Sequence, residues 1–406
     1  MNLNKLKTAN SLLNYNYTLS CVSGNEFVLS YEGRYYKIGE FMYRILREGK
    51  KAAHLEELLA RLGNDAELSL ATLKEVIETK VLPVFNVAEE NGKDFSGGFW
   101  VKKQVLSSGQ SATLAKPLSF LFGRSFYPLF ILLSGINIAL YYQVNSKVAG
   151  RFIPQGYEML TWIGSYFSLF FIMFLHELSH AAAAIKSGIK ARSIGLGFYT
   201  IMPAMYTDLT DIWKLPKAGR VKVNLAGIFI QLIIGIGIAA ALNIVANGVV
   251  QSLLWKIYFF NTCLVIMNLV PFLKLDGYWV LSDLLGVPNL IQTSNKLLLD
   301  AVTKKDPFEE RKHAEISFKK IILIVFTMLR VLFIAGVTVS AFTFIYVSIL
   351  KTVTLIKYIP YLSFNLQTAL ELLKRAASIV IISLFTRKYR KLFSSVILKR
   401  VRWYRA

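Results

Sequence analysis

Apolar positions set out the plan of this chain. Between residues 41 and 77 they recur at helical spacing: Phe41, Met42, Ile45 and Leu46, then Leu55, Leu58, Leu59 and Leu62, then Leu70, Leu73 and Ile77. This recurrence predicts three short amphipathic helices. Upstream, Glu26–Tyr31 and Arg34–Ile38 are strand-like runs on either side of Glu32-Gly33, which predicts a hairpin. Further on the pattern changes to long apolar stretches at Phe126–Val144, Leu160–Ile185, Leu225–Val245, Leu253–Phe272 and Ile321–Leu350. Each approaches or exceeds the ~20 residues that cross a bilayer. A sixth segment rests on Ala376–Phe385, with Glu371, Lys374 and Arg375 before it, and reads as a span or as an interfacial helix.

The pattern predicts a mainly α fold: a polytopic membrane helical bundle of about six spans, preceded by a small α+β winged-helix-like cytosolic domain. Residues 1–95 form that soluble domain. Residues 96–120, with Gly97, Gly98, Ser107, Ser108 and Gly109, read as a linker. Residues 121–406 form the membrane domain and end in a basic tail, 387–406.

Composition sharpens this plan. Of 406 residues, 54% are hydrophobic and 18% charged, yet the formal net charge is +22. Such apolar content excludes a disordered chain. Residues 1–100 hold 12 basic and 13 acidic residues, whereas the remainder holds 35 and 12. The excess therefore lies in the loops between spans, which is a membrane-topology pattern and not a nucleic-acid face. Residues 186–222 and 387–406 are strongly basic, 278–320 is richly charged, and all three should be cytosolic. Six spans with both termini in the cytosol, in a multi-pass cell-membrane protein, satisfy every loop. The two cysteines, Cys21 and Cys263, form no CxxC pair. The first twenty residues lack an apolar core and a small-residue cleavage site, so no cleaved signal peptide is expected.

The second apolar stretch contains His176-Glu177-Leu178-Ser179-His180. On a helix His176 and His180 project only ~40° apart, so both imidazoles can bind one metal, with Glu177 beside them. Three ionisable groups in one turn of an apolar helix are costly and mark function. A zinc site needs a third protein ligand. The fourth stretch ends in Asn268-Leu269-Val270-Pro271-Phe272-Leu273-Lys274-Leu275-Asp276-Gly277, where proline and glycine can break the helix and turn Asp276 inward. Taken alone, Asp-Gly is a turn signal; beside HExxH it supplies a carboxylate ligand. Asp208 and Asp211 could hold a cation or cap a turn. His54 and His313 read as solvated surface residues.

The paired motifs resemble the site-two protease family of intramembrane zinc metalloproteases, over roughly residues 160–285. The resemblance implies zinc held by His176, His180 and Asp276, with Glu177 activating water. The family's Ala-Gly-Pro element stands here as Ala226-Gly227-Ile228, with Gln231 in the place of an asparagine. Gln231 reads either as a polar site residue or as an interhelical hydrogen bond. Asn268 matches the asparagine before the family's proline and reads as a substrate or oxyanion contact, or as a helix-end hydrogen bond. The N-terminal run Phe27–Ile38 and the helix after it resemble PqqD-like peptide-recognition domains, which bind a leader peptide as an added strand. Together these imply a zinc-dependent intramembrane metalloendopeptidase that matures or exports a ribosomally made, bacteriocin-like peptide, with a peptide exporter as a possible partner. The alternatives are a regulatory protease cutting a membrane-anchored signalling protein, and a catalytically silent accessory of an exporter. The expected partners are a peptide or membrane-protein substrate and the lipid bilayer, and no nucleic acid.

Overall fold

The computed structural model describes residues 17–23, 26–31, 34–52, 54–62, 69–85, 99–148, 156–199, 202–287, 289–302 and 318–358. The chain divides into two compact units, Met1–Gly197 with Ala204–Val287, and Phe198–Pro203 with Pro288–Ala406. It is mostly helical, with a small N-terminal sheet.

The first unit opens with an antiparallel meander, β1 (Tyr17–Ser23), β2 (Glu26–Tyr31) and β3 (Arg34–Ile38), with β2 in the centre. Leu29 faces Leu19 on one side and Tyr36 on the other. The predicted hairpin is β2 and β3, and β1 is an addition to it. Three helices follow: α1 (Glu40–Gly49), α2 (Leu55–Leu62) and α3 (Leu70–Val76), the last continuing into a π turn at Ile77–Val81. Tyr17, Leu29, Ile45, Leu46, Leu73 and Phe85 share one core. The Tyr17 hydroxyl donates to the Leu46 carbonyl at 2.7 Å, and burial pushes that phenol up to about 12. Phe41 and Leu70 fit the helical spacing but lie 36% and 39% exposed, because each stands at the first turn of its helix, at the margin of the core.

The predicted linker is ordered where it is described. It forms β4 (Phe99–Leu106), α4 (Ser108–Ala115) and a 3-10 turn at Lys116–Phe122. Its serines start a helix: the Ser107 hydroxyl accepts from the Gln110 N–H at 3.4 Å, and the Gln110 side-chain oxygen accepts from the Ser107 N–H at 2.9 Å. This capping box is the reason that the stretch is not irregular. Ser111, Ala115 and Phe122 are buried there.

Four long helices come next: α5 (Phe126–Val148), α6 (Glu158–Lys186), α7 (Lys217–Ile244) and α8 (Gly248–Leu269). All four are long and apolar enough to cross a membrane. Helix α7 packs against the other three and is the most buried of them. Large apolar side chains such as Ile131, Ile138, Phe167 and Phe171 are exposed on α5 and α6. Such faces require lipid as their solvent. Helix α7 starts eight residues before the predicted Leu225, since its first turns hold the polar residues Lys217, Arg220 and Lys222. Helix α8 stops at Leu269, three residues short of the predicted end, because Pro271 disfavours helical geometry in the residue before it.

Between α6 and α7, strands β5 (Ile194–Tyr199) and β6 (Met202–Thr207) join β4 in a second sheet of order β4-β5-β6, followed by a 3-10 turn at Thr210–Lys214. After α8 a short helix, α9 (Asp276–Leu285), ends at Gly286, whose φ of +68° is the left-handed stop that glycine favours.

The second unit contains α10 (Leu290–Val302) and α11 (Phe318–Tyr358). The Arg330 guanidinium of α11 donates to the Ser294 hydroxyl at 2.9 Å and to the Asn295 side-chain oxygen at 2.8 Å on α10. At 1.5 Å per residue, the 41 residues of α11 exceed what a ~30 Å hydrocarbon layer needs. Lys319–Thr354 within it is the fifth helix suited to cross a membrane among the described residues. The predicted sixth segment, the tail 387–406 and His313 lie outside those residues.

Candidate metal centre

The HExxH run lies wholly inside α6 and ends six residues before the helix does. The pitch of the helix brings both imidazoles to one face, as the spacing predicts, and both are buried. His176 Nε2 and His180 Nε2 are 3.1 Å apart. Gly227 of α7 lies against the His176 ring: a Cβ there would meet the ring at 2.4 Å. The histidine therefore fits only because α7 presents a glycine at this level.

Asp276 arrives from α8. The chain leaves that helix at Leu269 and turns back into α9, and a Cβ at position 277 would come within 2.3 Å of the Leu269 carbonyl oxygen. Glycine is thus required for the turn that aims Asp276 inward. Asp276 Oδ2 lies 3.1 Å from His176 Nε2 and 3.5 Å from His180 Nε2. Deeper in α9, Asp283 pairs with Arg220 of α7 at 2.6 Å and accepts from the Asn224 amide at 3.2 Å. This buried pair fastens the short helix that carries Asp276 to the central helix.

The hydrogen bonds behind the ligands decide what those atoms can do. His180 Nδ1 is 2.8 Å from the Val223 carbonyl oxygen, and His176 Nδ1 is 2.9 Å from Gln231 Oε1. Both partners accept, so each Nδ1 carries the ring hydrogen and each Nε2 points a lone pair inward. With both rings neutral, three Lewis-basic atoms converge there, and Asp276 Oδ2 is buried without a hydrogen-bond partner. Such an arrangement is repulsive unless a cation sits within it. Tetrahedral zinc with bonds near 2.0 Å separates its ligand atoms by about 3.3 Å. The separations of 3.1, 3.1 and 3.5 Å match that figure, and two imidazoles with one carboxylate are a zinc-type donor set.

Glu177 is buried beside the histidines. The Thr207 hydroxyl, at the end of β6, lies 2.8 Å from Glu177 Oε2 and 2.9 Å from the Glu177 carbonyl oxygen. Asn268 is buried, and its side-chain nitrogen has no hydrogen-bond partner among the described residues. Gln231 lies behind His176, away from the converging ligand atoms, and its Nε2 donates to Asn261 Oδ1 at 3.3 Å. It makes both the interhelical bond and the contact with the site.

Asp208 and Asp211 turn out to hold a guanidinium. Arg192 reaches Asp208 at 3.2 Å and Asp211 at 2.6 Å, while Asp208 Oδ1 accepts from the Thr210 N–H at 3.0 Å in a turn. Lys214 and the Tyr35 hydroxyl of β3 also donate to Asp211. Burial pushes the Asp211 carboxyl upward, but these donors outweigh it and hold the group well below the usual carboxylate range. His54 is exposed, as expected.

Sequence reasoning missed Thr207, Asn261, Arg220, Asn224 and Asp283. A signal existed for Arg220 and Asp283, since charges so close to apolar segments imply partners. None existed for Thr207, which reaches Glu177 from a separate strand.

Fold and site together define a membrane protein of apolar helices enclosing a His-His-Asp constellation suited to zinc. Comparison with known proteins agrees. Over 128 residues, 31% of the chain, it is 31% identical to zinc metalloprotease MJ0392 of Methanocaldococcus jannaschii. Over 187 residues, 46% of the chain, it is 28% identical to "putative peptide zinc metalloprotease protein YydH" of Bacillus subtilis. The matched regions span 35% of the archaeal protein and 70% of the bacterial one. No family model and no solved structure matches the chain. Both relatives are named as zinc metalloproteases.

Proposed function

We propose that this chain is an intramembrane zinc metalloendopeptidase of the site-two protease type. In this reading His176, His180 and Asp276 hold the zinc, and Glu177 is the general base. The observation that carries the reading is the convergence of His176 Nε2, His180 Nε2 and Asp276 Oδ2 at 3.1–3.5 Å between apolar helices. Zinc, when bound, supplies Lewis acidity toward a scissile carbonyl and acidifies water. Glu177 takes a proton from water on its carboxylate and passes it to the leaving amine. The Thr207 hydroxyl steadies that carboxylate through Oε2. Asn268 offers its unpaired amide hydrogens to the developing oxyanion or to the substrate backbone.

The substrate in this reading is a ribosomally made, bacteriocin-like peptide, whose leader docks on the PqqD-like N-terminal domain as an added strand in the cytosol. Two features favour it. The three-stranded meander offers edge strands to an extended peptide, and the bacterial relative's name specifies a peptide zinc metalloprotease. The test is Glu177→Gln. The variant should keep wild-type zinc content and lose peptide processing at least about 100-fold, read by mass spectrometry of peptides from cells carrying either form. Undiminished processing would overturn the mechanism.

A further inference from the structure

His176 is hydrogen-bonded, on the side away from the converging ligand atoms, to a chain of two buried side-chain amides, Gln231 and Asn261. Asn261 of α8 donates from Nδ2 to the backbone carbonyl of Gln231 at 3.0 Å. A backbone carbonyl can only accept, so this bond fixes which way the Asn261 amide faces. Its Oδ1 is thereby turned to the Gln231 side chain and accepts from Gln231 Nε2 at 3.3 Å. Gln231 in turn has no choice of orientation: with Nε2 engaged, Oε1 must face His176 Nδ1, at 2.9 Å. An imidazole whose Nδ1 donates a hydrogen keeps its Nε2 lone pair free, and that is the atom 3.1 Å from Asp276 Oδ2. All three members are buried.

A second feature serves the same arrangement. Gly235 lies one turn after Gln231 on α7, and a Cβ there would meet Asn137 Oδ1 at 2.5 Å and Asn261 Nδ2 at 3.4 Å. The missing side chain leaves the Gln231 carbonyl open to an amide from the neighbouring helix. His180 reaches the same tautomer by a shorter route, through the Val223 carbonyl. His176 has no backbone acceptor and relies on a side chain, which could face either way unless another group fixed it.

We propose that Gln231 is the positioning residue for His176 and that Asn261, acting through Gln231, sets the tautomer which His176 presents to the metal. The proposal rests on the zinc reading above. Removing an outer partner of a metal-bound histidine typically weakens metal binding 10–100-fold.

The test uses the full chain purified in detergent, with zinc affinity measured by chelator competition and the site's geometry by the visible absorption of bound Co2+. Gln231→Leu should weaken zinc about 10–100-fold and shift the Co2+ bands. Gln231→Glu keeps an acceptor toward Nδ1 and should recover most of the affinity. Asn261→Leu should weaken zinc to a lesser degree, and should add nothing in the background of Gln231→Leu. Unfolding midpoints of the metal-free variants separate this effect from a general loss of packing. If Gln231→Leu does not survive purification, the comparison of Asn261→Leu with Gln231→Glu carries the test. Wild-type affinity and spectrum in Gln231→Leu, or equal losses in the Leu and Glu variants, would overturn the proposal and leave the zinc reading standing. Failure of the wild type to bind zinc, or retained binding in His176→Ala, would overturn the zinc reading and this proposal with it.

Discussion

At the scale of single residues, burial separates groups that are finished structurally from groups that are waiting for a ligand. Gln231, Asn261 and Asp283 are buried polar side chains whose hydrogen bonds are made. Asn268 and Asp276 Oδ2 are buried with theirs unmade. Leaving a buried polar group unpaired costs about 1–3 kcal/mol, so such groups are kept where a bound species completes them. In the proposed mechanism, the species that completes Asn268 is the substrate or its oxyanion. Replacing it with alanine should lower kcat about 100-fold with little change in KM, because the lost contact strengthens only as charge develops. Steady-state assays on a cleaved peptide measure both constants. A rise in KM at constant kcat would assign Asn268 to ground-state binding instead.

Helices contribute to the site through what they omit as much as through what they carry. Helix α6 brings the two histidines and Glu177, but the room for His176 comes from Gly227 on α7. The Gly227→Ala change would set a methyl group 2.4 Å from the imidazole, so the ring or the α6–α7 contact must move. Overpacking of this kind typically costs 1–3 kcal/mol. The expected outcome is a lower unfolding midpoint in detergent together with weaker zinc binding, read by thermal melts and chelator competition. Wild-type behaviour in both would mean that α6 and α7 lie further apart than the packing implies. Helix α9 depends on its neighbours in a different way. Ten residues are too few to be stable alone, and the Arg220–Asp283 pair fastens it to α7.

For the molecule as a whole, the link between the N-terminal sheet and the membrane helices is polar. Tyr35 of β3 donates to Asp211, which Arg192 and Lys214 also hold, and Glu26 of β2 lies 3.7 Å from Arg220. Asp211 is held below its ordinary value in the folded chain, so its contribution has a definite sign. Stability from it is complete above the unfolded carboxyl value near 4 and is lost as pH falls below that toward the folded value. Asp211→Asn should therefore melt lower than wild type at pH 7, and the gap should narrow as the pH drops toward 3. Thermal unfolding across that range checks this, and a gap that widens in acid would contradict it.

The sequence by itself determined the apolar spans, the hairpin, the three short helices and the two halves of the metal site. Each is written in local order: periodicity is a property of neighbouring residues, and HExxH places two imidazoles on one face by helical pitch alone. Pro271 and Gly277 likewise announce a turn at Asp276. Only the tertiary structure decided what surrounds those halves. Strand β1 exists because it pairs with β2, and the Gly/Ser-rich stretch before the first long apolar helix folds because a capping box starts a helix there. Thr207, Asn261 and Asp283 reach the site from other elements, 30, 85 and 107 positions beyond Glu177 or His176 in the chain. Their roles depend on distances across packed helices, and no local pattern encodes a distance between residues that meet only after folding.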